Sequence, residues 1–77
     1  MSTHRRRKAI AKSAVVTAKT AQVHAALAGY TVTRRGHSLY LLTDVDGEHI
    51  NFYEHASVAW KEGYYILQYR LATTGRP

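Results

Sequence analysis

Hydrophobic and polar positions change period along the chain. From 8 to 28 (KAIAKSAVVTAKTAQVHAALA) the sequence is alanine-rich, and neither Gly nor Pro interrupts it. That composition predicts a long helix. Gly29 stands where a glycine closes such a helix. At 100° per residue, Ile10, Ala14, Thr17, Ala21 and Ala28 share one face, flanked by Val16, Val23 and Leu27. Lys8, Lys12 and Lys19 fall in a narrow stripe on the other side, and Arg5 extends it if the helix starts earlier.

After Gly29 the pattern becomes that of strands. GYTVTRRGHSLYLLTDVD, residues 29–46, predicts a β-hairpin of 30–35 and 38–44 with its reversal near Arg35–His37. Gly36 is expected to supply a positive φ or a close approach there. Tyr30 and Tyr40 are expected to line the core. Asp44 to Glu48 reads as a turn through its Asp-Gly step. EHINFY, residues 48–53, fits a third strand. Asn51 and Glu54 have the N-x-x-E spacing of a helix cap, ahead of a short helix at about 52–62 that Gly63 can end. Phe52, Ala56, Ala59 and Trp60 share its face. Residues 64–71 (YYILQYRL) alternate as a strand, with an inward helical face of Tyr64, Leu67 and Leu71 as the rival reading. The expected fold is α+β: a long N-terminal helix packed on a three- or four-stranded, mainly antiparallel sheet, with a short second helix. Residues 1–7 read as a flexible basic arm, 8–72 as one domain, and 73–77 as a frayed tail.

Composition narrows the class. There is no cysteine in the 77 residues, which excludes a disulfide scaffold and a Cys-based zinc site. No apolar run approaches the ~18 residues of a membrane span. RRRK is followed by a stretch broken by Lys12, Ser13 and Lys19, a poor signal-peptide core, so a cytoplasmic setting is expected.

The net charge of +6 matters most through its placement. Residues 1–43 contain Arg5, Arg6, Arg7, Lys8, Lys12, Lys19, Arg34 and Arg35 and no acid, while all five acids lie between Asp44 and Glu62. A merely solvated helix face normally mixes Glu with Lys four residues apart, and no such pair is possible here. The asymmetry points to an anionic partner: nucleic acid, a nucleoprotein complex or an acidic protein surface. Those eight cations are the candidate contacts, with Tyr64 as a candidate stacking ring among the six tyrosines. No metal or other cofactor is expected. The five histidines form no HxxxH pair, and the DxDG string at Asp44 lacks the later ligands of a calcium loop.

His37 sits at the hairpin turn beside Arg34, Arg35 and Ser38. A histidine in a basic setting can serve as general acid or base on an RNA 2′-hydroxyl. The run AGYTVTRRGHS (28–38), preceded by a helix, and the later WKEGYYIL (60–67) resemble HicA-type toxins across residues 26–67. This chain has Gly36-His37-Ser38 where those proteins have Gly-Ser-His. The resemblance implies a small basic ribonuclease of an antitoxin-paired system with a double-stranded-RNA-binding-like α-β-β-β-α fold. It further implies His37 as the catalytic residue and a helix over 60–71. In size and style the chain also resembles phage accessory proteins of the anti-CRISPR type. That resemblance implies an inhibitor in the host cytoplasm that occludes a subunit or nucleic-acid path of a defence complex.

Overall fold

The computed structural model describes residues 16–77. Helix α1 (Ala18–Ala28) leads into strands β1 (Thr31–Gly36), β2 (Leu39–Thr43) and β3 (His49–Tyr53), and helix α2 (Ala56–Thr74) follows. The strands form an antiparallel sheet in the order β1-β2-β3. The fold is therefore α+β, with three strands among the described residues. The helix expected over 8–28 is not continuous: Val16 and Thr17 are non-helical, and Thr17, with ψ 156°, is the N-cap, so α1 has 11 residues and Lys19 does not share an unbroken helical stripe with Lys8 and Lys12. Residues 1–15, with the basic arm, lie outside the described residues.

Thr17 starts α1. Its backbone is extended and its hydroxyl oxygen accepts the Thr20 N–H at 3.2 Å. Gly29 ends the helix with φ 110°, a left-handed conformation that side chains resist. The Gly29 N–H donates to the Ala26 carbonyl and the Tyr30 N–H to the Ala25 carbonyl, both at 3.0 Å. This paired closure satisfies carbonyls that the helix would otherwise leave open.

α2 lies on one sheet face, and α1 packs mainly against α2 and not across the sheet as expected; the two helices run in the same direction, with His24 meeting Tyr64 and Tyr30 meeting Arg70. The core is Ala25, Tyr30, Leu42, Ala59 and Leu67, with Val32, Tyr40, Ile50, Tyr53, Trp60 and Ile66 packed around it. Each large side chain withdrawn from water there contributes about 1.5–3 kcal/mol. Leu41 points to the other face, where its cross-strand neighbours are Thr33 and Phe52, and it too is buried.

The second half of the chain departs from the sequence reading. Residues 64–71 are helix, not strand, and α2 is a 19-residue helix, not a short one. Ala59, Gly63 and Leu67 are buried at four-residue spacing, and that seam against the sheet outweighs the two-residue alternation of the tyrosines. Gly63 does not stop the helix. A Cβ there would stand 3.0 Å from Leu42 Cδ1 and 3.7 Å from the Tyr30 ring, so the glycine lets α2 lie close on the sheet. Asn51 does not cap α2 either. It belongs to β3, and its side-chain oxygen accepts the Phe52 N–H at 2.8 Å. His55 takes the N-cap position without a side-chain cap bond. Phe52 leaves the expected helical face and is half exposed in β3. The tail expected to fray continues α2 to Thr74, and the Pro77 main-chain oxygen accepts the Tyr30 hydroxyl at 2.6 Å.

Asp44 closes the fold where β2 ends. It is only 6% exposed. Its Oδ1 accepts the N–H groups of Asp46 at 2.9 Å and Glu48 at 3.0 Å, and its Oδ2 takes the Arg70 guanidinium at 3.1 Å. Burial pushes the carboxyl up. The hydrogen bonds from Glu48, Arg70 and Asp46, with the Arg70 charge, outweigh burial and leave it below the usual carboxylate value. The same guanidinium reaches the Tyr30 hydroxyl at 3.3 Å and stands 6.0 Å from its ring centre. Burial raises the Tyr30 phenol, and Arg70 offsets only part of that rise.

Asp44→Ala removes the acceptor of two turn N–H groups and the carboxylate partner of Arg70, which keeps the Tyr30 hydroxyl and the Pro77 main-chain oxygen, and urea unfolding should show a loss of about 1–3 kcal/mol. Because Asp44 titrates lower in the folded state, its contribution is full above pH of about 4 and is lost as pH falls through the folded value. The acid limb of stability should accordingly be shallower in Asp44→Asn than in the parent. Gly63→Val, pressed against Leu42, should cost about 1–3 kcal/mol while far-UV circular dichroism still reports a folded helix.

Candidate anionic-partner interface

The β1–β2 hairpin presents the cations that sequence reading placed at its turn. Thr31 pairs with Thr43, Thr33 with Leu41 and Arg34 with Tyr40, and Gly36 then pairs with Leu39, leaving Arg35 as the extra residue of a bulge. A bulge of this kind re-aims a side chain and interrupts an edge. Arg34 Nε donates to the Gly36 carbonyl at 3.2 Å, which holds its guanidinium at the tip. Arg34, Arg35, His37 and Ser38 are all exposed. Among the described residues the one ion pair is Arg70–Asp44, so neither hairpin arginine is neutralised by a carboxylate. The positive φ falls on Ser38, at 56°, and not on Gly36 as expected. A serine in the left-handed region costs more than glycine would, so the tip carries modest strain.

The meander separates charge along the sheet. The hairpin tip lies at one end of β2, and the turn bearing Asp44, Asp46 and Glu48 lies at the other. Five strand residues at about 3.3 Å each keep the two ends roughly 15 Å apart. Helix α1 runs toward the acidic end, because Gly29 packs against Val45, with 3.1 Å between Val45 Cγ1 and the place of a Cβ. Lys19 is exposed and lies about 15 Å back along the helix axis, away from that end. Helix α2 starts at the tip end, since Tyr53 pairs with Tyr40, and no acid occupies its first turn. Glu54 is exposed at that end, after the opposite edge strand, and Glu62 is exposed on α2.

The predicted site residues divide accordingly. Arg34, Arg35 and His37 are brought together at the tip. Lys19 belongs to the neighbouring helix. Arg5, Arg6, Arg7, Lys8 and Lys12 lie outside the described residues. Tyr64 does not join them. It is half-buried in the α1–α2 seam, with edge contacts to His24 at 5.9 Å and to Tyr65 at 5.6 Å. The more open ring is Tyr69, at 70% exposure. Sequence reading placed no role on Arg70, whose partners appear only once α2 is recognised as a helix. The available signal was helical spacing from Ala59 through Gly63 to Leu67.

No family model, curated protein or solved structure matches the chain. No helix among the described residues is long and apolar enough to cross a membrane.

Proposed function

We propose that the chain is a small non-enzymatic binding module for an anionic partner, nucleic acid or a nucleoprotein complex. Arg34 and Arg35 contact it from the hairpin tip. Lys19 and the basic run Arg5, Arg6, Arg7, Lys8 and Lys12 extend the contact along the chain. The observation that carries this reading is charge placement: residues 1–43 hold eight cations and no acid, and the hairpin arginines are exposed and meet no carboxylate among the described residues. Guanidinium groups suit phosphate through paired N–H donors, and contacts of this kind position a backbone without reading bases.

Binding to a duplex or single-stranded oligonucleotide should weaken steeply with salt, because each phosphate contact releases counterions. Arg34→Ala combined with Arg35→Ala should reduce the slope of log K against log salt by about 2, and Lys12→Glu with Lys19→Glu should abolish binding. An unchanged slope in the hairpin variant removes the hairpin from the interface.

One second reading has a specific observation in its favour. The order α-β-β-β-α and the helix across 60–71 are what the resemblance to HicA-type ribonucleases implies, and His37 is exposed beside two arginines. On that reading His37 is the general acid or base. Expression of the chain should then be toxic and cleave RNA, and His37→Ala should silence both. Intact RNA with retained binding favours the non-enzymatic module.

A further inference from the structure

On the outward side of α1, among exposed Lys19, Thr20 and Gln22, two large apolar side chains face water. Leu27 is 81% exposed and Val23 48%. They follow exposed Lys19 at four-residue steps, on the side away from buried Ala21 and Ala25. One exposed leucine on a surface is ordinary; two apolar side chains one turn apart make a small patch whose contacts depend on what flanks it. Phosphate does not favour such a patch, because it offers the two side chains nothing to bury.

The geometry points to a second copy of this chain as the occupant, paired about a twofold axis with the two α1 helices antiparallel and crossing near Val23. Charge complementarity selects this arrangement. Val23 lies midway between Lys19 and Leu27, so an antiparallel crossing sets each Leu27 against the stem of the other copy's Lys19. The Lys19 ammonium then extends toward the other copy's α1 C-terminus. The last turn there carries no basic residue, and the helix dipole presents its negative end. Next to that terminus stands Val45, in the turn that exposes Asp46 and Glu48. A parallel pairing would instead bring Lys19 against Lys19. The hairpin arginines take no part; Lys19 is shared with the anionic-partner reading, and measuring self-association free of nucleic acid lets the two fail separately.

The contact is one short helix face, so the expected association is weak, with a dissociation constant of about 10⁻⁵–10⁻³ M. Sedimentation velocity on the full chain, free of nucleic acid, should show a dimer that grows with concentration. Leu27→Lys places two ammonium groups together and should leave only monomer, with an unchanged circular dichroism spectrum because the side chain is exposed. Adding Lys19→Glu to that variant recreates an opposite-charge pair across the axis and should restore the dimer. A monomer at every concentration overturns the proposal, as does a dimer indifferent to Leu27→Lys. A dimer that the double variant fails to restore overturns the antiparallel arrangement. If the chain stays monomeric and an added oligonucleotide shifts the Val23 and Leu27 methyl resonances, nucleic acid covers this face and the self-pairing is wrong.

Discussion

The contact of Asp44 with Arg70 joins parts of the chain that no local interaction would bring together. The carboxylate organises its own turn through the Asp46 and Glu48 N–H groups and reserves its second oxygen for a guanidinium 26 residues away. That guanidinium also reaches the hydroxyl of Tyr30, the first residue beyond the Gly29 cap. The acidic end of the sheet, the exit of α1 and the last turns of α2 are thereby fixed to one another. Removing a carboxylate from water costs several kcal/mol, and this is tolerable only because each oxygen has partners of the right polarity.

Small residues set the spacing of everything else. Ala21 and Ala25 on α1, and Ala59 and Gly63 on α2, are buried and have little or no side chain. Helices with such faces approach closely, and the bulk of the core comes from Tyr30, Leu42 and Leu67. With its inner face given to alanine, α1 has no room inside for Val23 and Leu27. The same economy leaves a small apolar patch facing outward beside Lys19.

Charge follows chain order, and the meander converts that order into space. The acids at 44, 46 and 48 occupy the β2–β3 turn and the arginines at 34 and 35 the β1–β2 turn, so one strand length separates them. At physiological ionic strength that separation exceeds the screening length of about 8 Å. The two ends therefore present distinct fields to a partner.

The first hairpin and the close of α1 were legible in the sequence. Alternation, a glycine after an alanine-rich run and an Asp-Gly step are local signals, and local sterics decide them. The basic front half and the exposed hairpin arginines were equally legible, because charge order needs no fold to be read. The second half was decided by tertiary packing. YYILQYRL satisfies a two-residue and a four-residue period at once, and only the seam of Ala59, Gly63 and Leu67 against Leu42 and Tyr30 selects the helix. Asn51 and Gly63 carry the residue types of a cap and a stop. Their true roles, covering a strand-edge N–H and admitting a close approach, depend on neighbours distant in sequence. Asp44 was legible only as the start of a turn, and Arg70 carried no role; their pairing depended on the sheet and α2 meeting, which no local pattern encodes.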